Sequence, residues 1–213
     1  MRRATPRPPT TPRKQPSDKR SEVMRDVMIV AAERVLAKYG VDGFTTNHVA
    51  EVAGVSIGSL YQYFPNKQSI LVTLIERNAH QFATAFERVL AERAGDAPEV
   101  VAIALGLMFR SVFHAQGKVH LDLYNQVPAL GVMASLESAL ARMTDQLARW
   151  LAASPHLAVH DAPVTAWVFV RAVEGIARSF SIKHDAVVEE SVMLTTVSML
   201  LGALPRRSEQ GSR

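Results

Sequence analysis

Residues 44 to 71, FTTNHVAEVAGVSIGSLYQYFPNKQSIL, constrain the fold more tightly than any other stretch of the chain. Val49, Ala50 and Ala53 fall at i, i+1 and i+4, one face of a helix about two turns long. Thr45 or Thr46 can cap its start, because a threonine oxygen accepts a hydrogen bond from an unpaired amide of the first turn. Gly54 supplies the left-handed backbone that ends such a helix without steric cost. Ser56 can cap a second helix with Leu60 and Phe64 facing inward; Pro65 stops it, and Asn66 can cap a third. Helix, short glycine-containing turn, helix is the helix-turn-helix pattern.

With Leu60 and Phe64 inside, the outward face of the second helix carries Ile57, Gly58, Ser59, Tyr61 and Gln62. That face suits a DNA groove. Gly58 lets the backbone approach a duplex, Ser56 and Ser59 offer short donors and acceptors, and Ile57 can touch a thymine methyl. Tyr61, Tyr63 and Lys67 are expected to reach phosphate oxygens, contacts that fix register without reading sequence. Thr45 and Thr46 complete the candidate DNA-binding set. The letters Gly54-Val55-Ser56-Ile57-Gly58 also spell GxSxG, the nucleophile elbow of hydrolases. An elbow needs a strand before its serine, and the preceding residues here have helical period. A helical hydrolase is therefore the rival reading, and no enzyme is expected.

The run AGVSxGxLYxYFxxKxxxL, Ala53 through Leu71, resembles the DNA-binding signature of the TetR-type repressors. The likeness extends upstream through TTNHVAEVAG and covers roughly residues 22 to 75. Asn47 and His48 depart from it, being neutral where that family often carries a charge. The resemblance implies an all-α, two-part homodimer that binds a palindromic double-stranded DNA operator and is released by a small, apolar effector. A ligand-independent DNA-binding protein with the same head is the other alternative.

The rest of the chain reads as support for this head. Residues 22 to 39 place Val23, Val27, Val30, Ala31, Leu36 and Tyr39 near one helical face, ended by Gly40. A long helix follows over residues 66 to 93. Further helices are expected at 99–116, ended by Gly117; at 118–127, ended by Pro128; and at 129–153, 162–183 and 185–203. The expected domains are a disordered basic leader (1–20), the head (21–72), a helical effector and dimerisation domain (73–204) and a flexible tail (205–213). No run reaches 18 uncharged apolar residues, so no membrane span is expected, and the protein is placed in the cytoplasm. The absence of cysteine excludes disulfides and thiolate metal sites.

By the resemblance, an apolar cavity lies among the middle helices. Phe86, Met108, Phe109, Phe113, Tyr124 and Met133 are its candidate lining, and His114, Asn125 and Gln126 its polar groups. Each of these also fits plain core, surface or helix-end positions. His156, His160 and Asp161 have metal-like spacing, but Pro155 and Pro163 make the segment a loop, and neither metal nor cofactor is expected. Val164, Trp167, Val168, Arg171, Ala172, Gly175, Ile176, Ser179 and Phe180 form a broad stripe with small residues in its middle. Val188, Val192, Thr195, Val197, Met199 and Leu201 leave the last helix apolar on more than one face, so it is either internal or covered by a partner. In TetR-type proteins the last two helices form the dimer interface. That assigns Trp167, Arg171, Ala172, Gly175, Ile176, Ser179, Val188, Val192 and Thr195 to it.

Charge is distributed unevenly. Residues 1 to 20 carry seven basic side chains against Asp18 alone, a net +6 that leaves the remaining chain at −2. A leader with five prolines and no large apolar residue after Met1 buries too little to offset the entropy of ordering. Such an arm either remains a solvated extension or lies along phosphates. On the second reading, deleting residues 2 to 20 lowers DNA affinity at low salt and flattens the salt dependence. Each phosphate that the arm no longer neutralises takes about 0.9 off the slope of log affinity against log salt. Fluorescence anisotropy at several salt concentrations measures it, and identical slopes mark a passive extension.

Overall fold

A computed structural model describes the backbone of residues 19–179 and 186–207; the side chains of residues 112–118, 120, 121, 178 and 186–190 lie outside that description. The described chain is all-α, as expected: α1 (Lys19–Gly43), α2 (Thr46–Ala53), α3 (Ile57–Tyr63), α4 (Lys67–Glu92), α5 (Pro98–Leu130), α6 (Met133–Ala153), α7 (Ala162–Ser179) and α8 (Ala186–Gly202). No helix among the described residues is long and apolar enough to cross a membrane.

Two compact units are present. The first comprises the chain up to Asn78 together with Lys118–Met133; the second comprises Ala79–Gly117 and the chain from Ala134. The division after Asn78 lies beyond the boundary expected at residue 72, and the second half of α5 groups with the head. Gly117 does not end a helix: α5 runs through it. Glycine inside a helix costs about 1 kcal/mol relative to alanine, a penalty that packing offsets. Val119, Leu123 and Val127, at i, i+4 and i+8, are all buried. Pro128 sits inside the last turn of α5. The stop comes at Gly131, whose left-handed φ of 72° lets the amides of Gly131 and Val132 both reach the Val127 carbonyl.

In the first unit α1 packs on α2 and α2 on α3. The buried face of α1 is Met28, Ile29, Ala31, Ala32, Val35 and Leu36. Val23, Val27 and Tyr39, expected on that face, are exposed. The expected set counted valines as interior and passed over Met28 and Ile29, which lie nearer the true stripe. α1 also begins at Lys19, so the last two residues of the expected leader are helical; residues 1–18 lie outside the described chain. A deletion that removes the arm alone therefore ends at Asp18.

In the second unit α7 packs on α8, and α5 approaches α8 so closely that a Cβ on Gly106 would lie 2.5 Å from Leu194 Cδ1. α6 holds the later turns of α4. Arg142 makes a bidentate pair with Glu87 and bonds His80 Nδ1 at 3.0 Å, while Trp150 Nε1 donates to the Arg93 carbonyl. The segment after α8, expected to be flexible from Pro205, is tied down through Arg207. Ala158 N donates to the Pro205 carbonyl at 2.8 Å, Arg207 N to the His156 carbonyl at 3.0 Å, and Arg207 Nε to the Leu157 carbonyl at 2.6 Å. Arg206 adds an ion pair with Glu99. Truncation after Leu204 should therefore cost about 1–3 kcal/mol, two or three net hydrogen bonds. Truncation after Arg207 keeps all of these bonds and is the reference for that loss. Urea denaturation of the two truncations gives the comparison.

Candidate nucleic-acid interface

Each joint of the first unit is closed by a side chain or a backbone device that its sequence supplies. Thr45, in extended conformation, accepts from His48 N at 3.2 Å and caps α2. Gly54 follows with φ 67° and ψ 31°, and the Val55 amide returns to the Ala50 carbonyl at 3.0 Å. Ser56 caps α3, accepting from Ser59 N at 3.0 Å, with the two serine hydroxyls 2.9 Å apart. Asn66 Oδ1 accepts from Ser69 N at 2.8 Å and starts α4. Ser56 thus follows a helix and a turn, and its hydroxyl is engaged at a helix cap rather than presented on a strand elbow.

Leu60 and Phe64 are fully buried, and the opposite face of α3 is open. Ser56, Ile57, Gly58 and Gln62 are exposed on it, and Tyr61 is 42% exposed. The hydroxyls of Tyr61 and Thr46 lie 3.2 Å apart, joining the start of α2 to α3. Gly58 has helical backbone, and a Cβ there would meet only Ser56 Oγ at 3.9 Å.

Two residues expected to reach phosphate oxygens turn toward the protein instead. Tyr63 is 7% exposed. It lies three residues after Leu60, about 60° round the helix, and so shares the inward side. Lys67 turns its ammonium onto the Val41 carbonyl at 2.6 Å, 5.9 Å from the centre of the Phe44 ring. His48 also turns inward, its ring stacked on Tyr39 at 4.8 Å and its Nδ1 3.3 Å from the Gly43 carbonyl. A side-chain hydrogen bond with Tyr39 is the first cause raising the Lys38 pKa above its ordinary value. Sequence periodicity gave no sign of the Tyr39–His48 stack, because it depends on the geometry of the turn between α1 and α2.

The remaining candidates are dispersed. Phe86, Met108 and Phe109 are buried in the second unit, where Phe109 also packs on Phe82 with ring centres 5.3 Å apart. Tyr124, Asn125, Gln126 and Met133 belong to the first unit, with Asn125 and Met133 exposed. The side chains of Phe113 and His114 lie outside the described residues. On α7, Trp167 is 56% exposed, Gly175 and Ser179 are exposed, and Ala172 and Ile176 are half-buried. Arg171 is bound to Glu137 through both terminal nitrogens. On α8, Thr195 is exposed and Val192 half-buried, while the Val188 side chain and Phe180 lie outside the description. His156 Nε2 is spent on the Gly95 carbonyl at 3.2 Å, and no group of three potential metal ligands is gathered among the described residues.

Residues 28–74 match the model of the family described as bacterial regulatory proteins, tetR family. The fatty acid metabolism regulator protein of Bacillus subtilis is 34% identical over 82 residues, covering 38% of this chain and 42% of that protein. Nucleoid occlusion factor SlmA of Haemophilus ducreyi is 36% identical over 64 residues, or 30% and 32% of the two chains. The matched stretch thus spans less than half the length of these curated relatives. A TetR-family regulator from Mesorhizobium loti superposes with TM-score 0.66 at 18% identity, covering 88% of this chain and 100% of that one. The fatty acid degradation regulator FadR of Bacillus halodurans superposes with TM-score 0.62 at 20% identity, covering 91% and 100%. At such identities the likeness is one of fold. Residues 28–74 thus match the tetR family model, and the helices as a whole follow the architecture of these solved regulators.

Proposed function

We propose that the protein is a cytoplasmic, homodimeric repressor, not an enzyme, that holds a palindromic DNA operator and releases it when a small apolar molecule binds. The observation that carries the DNA reading is Gly58. An exposed glycine inside a helix is destabilising, and the protein's own packing gives no reason for it, since its Cβ position is open. An external surface that must come close supplies the reason. Around it, Ser56, Ile57 and Tyr61 offer groove and phosphate contacts, and the Thr46–Tyr61 hydroxyl pair fixes α2 against α3.

The dimer reading rests on α7 and α8. Val164, Trp167 and Val168 on α7, with Met199 on α8, are large apolar side chains left open in the single chain. Gly175 and Thr195, small and exposed on these two helices, allow close helix approach. An apolar effector is supported by the aromatic core around Phe82, Phe86 and Phe109, and by the relatives: two are fatty-acid regulators by name, and SmeT is the repressor of a multidrug efflux pump. Release requires the effector to prefer the state that fits DNA less well.

Two substitutions test these readings without disturbing the fold of the single chain. Gly58→Leu should keep or slightly raise the unfolding midpoint, because the site is open and leucine favours helix by roughly 1 kcal/mol. It should abolish operator-specific binding, as read by anisotropy on a duplex selected from a random pool. Unchanged specific binding would remove α3 from the groove. Gly175→Arg places a charge where a β-carbon would have no atom within 4 Å. The expected product is a folded monomer with weak operator binding, since two half-sites no longer act together. Sedimentation that still shows a dimer would place the interface elsewhere.

A further inference from the structure

The turn between α1 and α2 is held from outside itself. Gly40, at φ 65° and ψ −177°, breaks α1, and the chain makes one more turn to Gly43 before Phe44 is buried. The Val41 carbonyl accepts from Phe44 N at 3.3 Å and from the Lys67 ammonium at 2.6 Å. Lys67 is the first residue of α4, 26 positions along the chain. The Gly43 carbonyl lies 3.3 Å from His48 Nδ1. A carbonyl only accepts, so Nδ1 carries the proton of that bond. The His48 ring is stacked on Tyr39 with an interplanar angle of 22°, and a Cβ on Gly43 would lie 2.9 Å from Tyr39 Cβ. Glycine at 43 is thus what allows the turn to lie against α1.

We infer that Lys67 and His48 are positioning residues that fasten this turn from α4 and α2, setting Thr45 and Thr46 at the start of α2, and that neither touches the duplex. The two neutral residues after Thr46 then have different work: Asn47 is exposed, while His48 is committed to the turn. The inference rests on the DNA-binding reading for its consequence but not for its geometry. An ammonium has three donors, so the Val41 bond alone leaves two that a phosphate could take. Salt dependence separates the roles, because removing a phosphate-neutralising cation lowers the slope by about 0.9 and displacing a turn does not.

The test uses the full chain and a duplex that it selects from a random-sequence pool. Lys67→Met keeps the stem and removes the donor; His48→Phe keeps the stack and removes the donor; His48→Asn restores an N–H near the Nδ1 position. Lys67→Met and His48→Phe should speed amide exchange across residues 43–49 and weaken binding about tenfold, with the salt slope within about 0.3 of wild type. His48→Asn should recover most of the protection. A slope reduced by about 0.9 in Lys67→Met, or exchange unchanged in both donor-less variants, overturns the assignment. Should Lys67→Met fail to fold, the contrast between His48→Phe and His48→Asn decides it. If the wild-type chain selects no duplex, the DNA reading fails, while the exchange measurement still judges the fastening.

Discussion

The left-handed backbone at Gly54 is the constraint on which the head depends. With φ 67° it ends α2, returns the next amide to the Ala50 carbonyl, and sets the direction in which Ser56 launches α3. For a residue with a β-carbon this conformation costs about 1–2 kcal/mol. That cost would fall on a helix of eight residues and one of seven, neither long enough to be stable alone. Because α2 and α3 are so short, their stability comes from Val49, Ala50, Leu60 and Phe64 meeting one core, and this turn is what makes them meet.

Glycine marks the division between what the protein needs for itself and what it presents to others. Gly43 and Gly106 are filled from within, by Tyr39 Cβ at 2.9 Å and Leu194 Cδ1 at 2.5 Å. Gly58 and Gly175 have open space where those have neighbours, and both lie on exposed helix faces. Internal packing explains the first pair. For the second pair the proposed function supplies another surface, a duplex for Gly58 and a second copy for Gly175.

The helix-turn-helix was legible because its signals are local: caps, a left-handed glycine, a proline stop and two apolar residues four apart. Where sequence reading failed, tertiary packing outweighed a local signal. Gly117 looks like a terminator, yet α5 continues through it. Tyr63 looks like a surface phenol, yet one-sided burial of Leu60 and Phe64 carries it inward. Pro205 looks like the start of a free tail, yet its carbonyl is taken by Ala158. The orientation of Lys67 and His48 could not be read at all, since it depends on where two carbonyls of a broken helix point.

Charge makes the polar detail of the head consequential. Between residues 21 and 72 there are four basic side chains and five acidic ones, so the head has no net pull on a polyanion. One of the four, Lys67, is turned onto a backbone carbonyl, and Arg77, just beyond, faces Asp26 and Glu33 at 3.7 Å. A head of this kind cannot rely on counterion release to the extent that a basic domain does. Under the proposed function, what the head itself contributes is short-range fit: hydroxyls and amides held at fixed positions, and a glycine that admits the backbone to the groove. Fit of that sort is sensitive to small displacements. Under the proposed function, specific binding by two such heads requires their spacing to match the two half-sites. Within the described head, then, the polar contacts fixed by Thr45, Ser56 and the Thr46–Tyr61 pair matter more than net charge, and any long-range attraction falls to the basic leader.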